Sequence, residues 1–184
     1  MISYKEKLMQ FNATEKYKRE QSFFINLMNP QQNERILDYG CGLGRMVHVL
    51  RSRGCCSFGY DVNNLVESSN EFLFKNSFHI KFSKVYFMHS FSHIPSVNKL
   101  ISETLKQVLD DSGKVFIFSP NPDWLKMMPS NNYIPDPTVV RHYSLNELQY
   151  MFGKEGYLIE SCGQYGPTCS AGFNERLFFS AKLK

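Results

Sequence analysis

At 184 residues with a net charge of +4 and no dense basic run, the chain fits one domain with a full hydrophobic core and carries no nucleic-acid footprint. Five cysteines, an odd number without C-x-x-C spacing, imply neither a disulfide framework nor a zinc site and fit a reducing cytoplasm. No apolar run reaches the length of a membrane span, and the first residues lack the uninterrupted apolar stretch of a signal peptide.

Residues 1–29 predict helix in two pieces around Asn12 to Thr14. Thr14 is the N-cap, Tyr17, Phe24 and Leu27 or Met28 recur at helical spacing, and Asn29-Pro30 ends the run. Lys16, Lys18 and Arg19 read as its solvated face. Then comes RILDYGCGLGRMVHVLRSRGCCSFGYDV, the stretch on which the chain is organised. Arg35 to Asp38 predicts a strand ending in an acid. Gly40, Gly42 and Gly44 form a turn, Leu43 to Arg53 an amphipathic helix, and Gly54 its terminating position. Cys56 to Tyr60 predicts a second strand, which also ends in an acid, Asp61. Strand, glycine turn, helix, strand and acid describe a βαβ nucleotide-binding unit. The glycines let backbone approach a ligand, and the helix N-terminus offers unpaired N–H groups.

A short helix over Asn64 to Asn70 and a third strand over Phe72 to Lys75 are expected next, with Lys84 to Met88 as a fourth strand. Ser96 to Leu109 reads as a helix capped by Ser96, with Val97, Leu100, Ile101, Leu105 and Val108 or Leu109 in one stripe. Asp110 to Gly113 is a turn before a fifth strand, Lys114 to Phe118. Residues 119–143 hold five prolines and the only tryptophan. A loop that long and that apolar reads as a lid or substrate wall. Ser144 and Glu147 form a capping box that opens a helix to about Phe152. Tyr157 to Cys162 and Arg176 to Leu183 are the last two strands, joined by a loop containing Gly163, Gly166, Pro167 and Gly172.

The phrase LDYGCGLG, with Asp38 in its acidic position, and GYDVN, which ends the second strand, resemble the first motif and the ribose-binding strand end of class I S-adenosylmethionine-dependent methyltransferases, of the small-molecule type. The two acids lie 23 positions apart. The glycine spacing is Gly-x-Gly-x-Gly rather than the Gly-x-Gly-x-x-Gly of dinucleotide enzymes. The resemblance spans about residues 30–184. It implies an α/β Rossmann-like fold: seven strands, mostly parallel, helices on both faces and a C-terminal antiparallel hairpin. It further implies one domain over 1–184, with 1–29 as a helical cover and 119–143 as the lid, S-adenosylmethionine as cofactor, and methyl transfer to oxygen or nitrogen of a small molecule in the cytoplasm. Gly40 to Gly42 would line the methionine moiety and Asp61 would hold the ribose. The family's acidic adenine contact falls at Asn76-Ser77, where Asn76 can accept the same hydrogen bond without charge. Tyr17 and Arg19 are candidate contacts from the cover.

Ligands of open α/β sheets bind at the carboxyl ends of the strands. That rule gathers Asp38, Gly40, Cys41, Gly42, Asp61, Val62, Asn76, Ser77 and His89 around one crevice. A base is needed only if the acceptor must lose a proton, and imidazole titrates in the useful range. His89, after the fourth strand, is the first candidate and His142 the second; His93, in the phrase His-Ile-Pro, resembles a structural histidine of the family. Trp124, Tyr133 and Tyr143, with Met127 and Met128, are candidates for the acceptor pocket. No set of histidines, cysteines and acids has metal-ligand spacing, and the oligomeric state leaves no mark on the sequence. Two other readings stay open: an oxidoreductase built on the same βαβ unit, and a non-catalytic protein that retains the fold.

Overall fold

A computed structural model describes residues 13–63, 79–128 and 136–184, with Glu6, Met9 and Gln10. The first helix, α1, runs Glu15–Met28, with Thr14 at its N-cap accepting the Tyr17 N–H at 3.1 Å. Its buried side is Tyr17, Glu20, Phe24, Ile25 and Met28. Asn29 closes it in the left-handed region at φ 44°.

The sheet begins with β1, Arg35–Tyr39, followed by α2, Arg45–Ser52, and β2, Cys56–Tyr60. β3 spans Phe82–Met88 and is followed by a single 3₁₀ turn, Phe91–His93. A helical run over 97–108, α3, leads into β4, Leu109–Pro120. Short α4, Pro122–Lys126, and α5, Leu145–Lys154, precede the closing strands β5, Leu158–Thr168, and β6, Asn174–Lys182. The order across the sheet is β2-β1-β3-β4-β6-β5. The first four strands are parallel and the β4–β6 and β6–β5 pairs antiparallel.

Alternation along the central strands sorts the core into two layers. Val85 and Phe87 on β3, with Val115 and Ile117 on β4, face the layer of α3 and α5, where Leu100, Ile101, Leu105, Leu148 and Phe152 are buried. Tyr86 and Met88, with Phe116 and Phe118, face the layer of α1 and α2, against Phe24, Ile25, Met46 and Leu50. The sheet is therefore covered on both sides, as parallel strands require.

Several boundaries depart from the sequence expectation. Six strands stand among the described residues rather than seven, because the expected third, 72–75, lies outside them, as does the expected helix 64–70. Ser96 makes no side-chain cap bond, and α3 passes through a π turn at Leu100–Thr104. The wider turn lets adjacent Leu100 and Ile101 both be buried. β4 starts five residues early: Leu109 pairs with Phe82 and Lys114 with Lys84, so the expected turn at 110–113 is a bulge inside one strand. The C-terminal hairpin is longer than expected, because Gly163 and Gly166 lie within β5. A Cβ on Gly163 would stand 2.7 Å from the Phe178 ring, and Gly166, at φ 95°, sits in a register shift. The capping box at Ser144 and Glu147 is present in full.

Candidate functional site

β1 delivers Asp38 to the carboxyl edge of the sheet, and the chain then turns through three glycines, all left-handed: Gly40 at φ 87°, Gly42 at 53° and Gly44 at 73°. An L side chain is strained at each of these angles. The turn is stitched to β2 by its backbone: Gly40 N–H and Cys41 N–H both donate to Tyr60 O, at 2.7 and 3.0 Å. Asp61 completes the stitching. Its Oδ2 accepts the Gly42 N–H at 2.8 Å and its Oδ1 the Asn63 N–H at 2.8 Å. On the other side Ser90 Oγ donates to Tyr39 O at 2.5 Å. A Cβ on Gly40 would lie 2.8 Å from that Oγ and closer still to the Ser90 Cβ. Gly44 offers no side chain to cap α2.

Beneath the turn lies a small titratable cluster. Asp38 is 4% exposed, and burial pushes its carboxyl up to about 8, with the charge of Asp61 adding to the rise. The Tyr86 hydroxyl acts the other way: it is near enough to favour the carboxylate, yet it has no aligned hydrogen-bond partner although fully buried. Tyr17 comes down from α1, its phenol raised by burial and then by Asp38. Burial, Asp38 and Asp61 likewise push the Cys41 thiol up. Asp38, Cys41, the glycine turn and Asp61 thus share one electrostatic neighbourhood. Val62 is 80% exposed at its rim, and Arg19 points to solvent from α1. Asn76, Ser77 and Tyr133 lie outside the described residues.

His89 follows β3 directly, in the left-handed region at φ 61°. That conformation costs about 1–2 kcal/mol in a residue with a side chain. It is held by the His89 N–H, which donates to Phe118 O at 2.8 Å, and by an edge-on contact with the Phe118 ring. The imidazole Nε2 meets Glu20 Oε2 at 2.9 Å. Glu20 is 3% exposed, and its other oxygen stands 2.9 Å from Arg176 Nε. Arg176 also pairs with Glu175 at 3.1 Å, and Glu175 takes Lys16. Burial lowers the His89 pKa against the opposing pull of Glu20. Burial would raise Glu20, but the histidine, Arg176 and Lys16 together hold it below its ordinary value.

The other candidates stand elsewhere. His142 is held below the usual imidazole range by burial and by nearby His93, whose Nδ1 bonds Thr138 Oγ1 at 2.8 Å. Tyr143 packs edge-on against Phe91, with Arg141 over its ring at 5.0 Å, and lines an open groove of about 570 Å³ with Pro95, Lys99 and Met151. That groove does not include the glycine turn, Asp38, Asp61 or His89. Trp124 is half-buried on α4, Met128 half-buried beyond it, and Met127 half-exposed. The segment after 135 is tied back to the body by Val140 N–H and Arg141 N–H, both donating to Ser92 O.

Glu20, Tyr86, Ser90 and Arg176 escaped the sequence reading. Glu20 left a signal: it falls three residues after Tyr17 and four before Phe24, so it interrupts the buried stripe of α1 with a charge. Arg176 left a weaker one, as a cation entering an apolar strand.

A family profile for the methyltransferase domain matches residues 9–161. No curated protein matches the chain. Among solved structures, an S-adenosylmethionine-dependent methyltransferase from Archaeoglobus fulgidus superposes with a TM-score of 0.70 at 17% identity, over 90% of this chain and 93% of that one. One from Aquifex aeolicus gives 0.69 at 11% identity over 100% of both chains. One from Mesorhizobium loti gives 0.64 at 16% identity, over 86% and 95%. At such identities the likeness is one of fold.

Proposed function

The chain belongs to the methyltransferase-domain family, and we propose that it transfers a methyl group from S-adenosylmethionine to an oxygen or nitrogen of a small-molecule acceptor. The observation that carries this reading is the left-handed glycine turn pinned to Asp61 above a buried Asp38.

The residues fit that cofactor by their chemistry. Asp61 bonds one backbone N–H through each oxygen, and each oxygen keeps a second lone pair for a ribose hydroxyl. Gly40, Cys41 and Gly42 present backbone to the methionine moiety where a side chain would obstruct it. Asp38 is a buried acid for which no cation among the described residues offsets the burial of its ionised form, and a cationic ligand is what would stabilise it. Asn76 and Ser77 are proposed for the adenine. When bound, the cofactor supplies an activated methyl group on a sulfonium.

What remains for the protein is alignment, exclusion of water and custody of one proton. His89 is proposed as the base, with His142 the second candidate. Trp124, Tyr133 and Tyr143 are proposed as acceptor contacts. Titration calorimetry of the purified protein with S-adenosylmethionine and S-adenosylhomocysteine tests the reading. Binding of either supports it. Binding of a nicotinamide nucleotide instead, or of none of these, would overturn it in favour of an oxidoreductase or of a non-catalytic protein with this fold.

A further inference from the structure

We propose that Glu20, Arg176 and His89 form one proton-handling unit, in which Glu20 is the positioning carboxylate of His89 and Arg176 keeps Glu20 ionised. The inference rests on the methyltransferase reading and deepens it.

The three residues come from three elements that meet only in the folded chain: α1, β6 and the end of β3. A carboxylate on a nearly dry helix face is costly unless both oxygens are matched. Each oxygen meets a partner at 2.9 Å: Oε2 the His89 Nε2 in a hydrogen bond, and Oε1 the Arg176 Nε as an ion pair without an aligned hydrogen bond. Arginine stays charged at any working pH, so Glu20 stays an anion and can only accept from the imidazole. That fixes the tautomer: Nε2 carries the hydrogen and the basic lone pair sits on Nδ1. Buried, the imidazole is neutral at neutral pH, the form a base must have.

The placement also argues for a task beyond stability. His89 takes a left-handed backbone just past a parallel strand's carboxyl end, where strained residues and ligand sites coincide in open α/β sheets. Its neighbour Ser90 is packed against Gly40 and bonded to Tyr39 O, so the histidine is one residue from the wall of the glycine turn. A base oriented by a third group is the recurring logic of nucleophile activation. Here the acceptor's hydroxyl or protonated-amine hydrogen passes to His89 Nδ1. The lone pair so released on oxygen or nitrogen forms the new bond to the methyl carbon, and the electron pair of the broken carbon–sulfur bond stays on sulfur. With a hydroxyl, one positive charge is lost from the sulfonium and one appears on the imidazolium, where Glu20 faces it; with a protonated amine, the imidazolium takes the ammonium's charge and the sulfonium's charge passes to the methylated nitrogen. The acceptor class implied is one that must lose a proton, rather than a thioether or a tertiary amine.

Among the described residues, the charged groups that act on the imidazole include Glu20, Arg176 and Lys16, with Glu175 behind Arg176. Glu20→Gln removes the carboxylate bonded to the imidazole and leaves the Arg176 and Lys16 cations acting on it. Nitrogen-resolved NMR of the histidines reads this without any acceptor. The expected wild-type signature is an Nε2–H tautomer for His89, and Glu20→Gln should lower its acid constant's midpoint so that protonation weakens about tenfold. An Nδ1–H tautomer, or a midpoint that Glu20→Gln does not move, overturns the pairing. Release of S-adenosylhomocysteine with a panel of small phenols and amines reads the catalytic role. Glu20→Gln should cut kcat about 10- to 100-fold and move the acidic limb of the pH profile downward, with Glu20→Asp restoring part of both. His89→Ala and the double variant should be equally impaired. Cofactor affinity by calorimetry should stay within about twofold throughout. An unmoved limb, or losses that add in the double variant, overturns the unit while cofactor binding still upholds the parent reading. Absence of cofactor binding by the wild type overturns the parent reading instead.

Discussion

Asp61 accepts the Gly42 backbone N–H at 2.8 Å, so the acid at the tip of β2 shapes the glycine turn before any ligand arrives. The two tasks proposed for Asp61, ordering the turn and holding the ribose, are thus carried by one carboxylate. Asp61→Ala should weaken S-adenosylmethionine binding by about 1.5–3 kcal/mol, the range for charged hydrogen bonds, or roughly 10- to 100-fold in Kd. Asp61→Asn should recover little, because an amide carries one acceptor oxygen where two backbone N–H groups wait. Calorimetry giving wild-type affinity for Asp61→Ala would remove the ribose assignment.

Gly40→Ala should be among the most damaging single-methyl additions in the protein. The residue sits at φ 87°, and its new Cβ would fall on Ser90. The left-handed angle costs about 1–2 kcal/mol and overpacking typically about 1–3 more. Urea unfolding should therefore show a loss of about 2–5 kcal/mol. Ser90→Gly in the same background should return the steric part and leave the backbone part. A loss below about 1 kcal/mol would mean that the turn relaxes freely and is not the rigid cradle proposed.

Asp38 should make both stability and cofactor affinity depend on pH, in opposite directions. Its folded pKa of about 8 lies above the ordinary aspartate value of 3.8. Between these values the folded chain holds a proton that the unfolded chain has lost. The stability contributed by the protonated acid is therefore whole below about pH 4 and declines as pH rises toward about 8, at about 1.4 kcal/mol per unit of separation. Asp38→Asn should flatten that decline. Binding a cation favours the ionised acid, so affinity for S-adenosylmethionine should rise with pH over the same window. Calorimetry at pH 7 in buffers of different ionisation enthalpy should detect a proton released on binding by the wild type and not by Asp38→Asn. Equal proton counts in the two proteins would dispose of the linkage.

The parts of this molecule legible in the sequence are those governed by neighbours along the chain. The turn after Asp38, the capping box at Ser144 and Glu147, and the cap at Thr14 are local arrangements of a few residues, and each stands where its residues place it. The bulge at 110–113 was not legible, because it exists only through the pairing of Leu109 with Phe82 across to β3. The partner of His89 was hidden for the same reason. Glu20 is 69 positions away and Arg176 lies 87 positions beyond the histidine, so only the fold brings them together. The histidine itself was visible as a residue type at a strand end; its orientation was not.

The family resemblance makes the first helix a cover over the crevice, its apolar spacing makes it a packed helix, and its contacts are those of the core. Phe24 is fully buried, with its ring edge-on to Tyr86 at 5.8 Å and tilted against Phe118 at 5.5 Å. Those two partners are the ring beside Asp38 and the ring under His89. A detachable lid would lose little on truncation of one side chain, whereas a core aromatic costs about 3–5 kcal/mol when cut to alanine. Phe24→Ala should show the core value in urea unfolding, as one cooperative transition with an unchanged m-value. Phe24→Leu, which keeps much of the volume, should lose well under half of that. A loss below about 1 kcal/mol, with cofactor affinity falling all the same, would return the helix to the role of a cover and place the rigid floor of the site in the sheet alone.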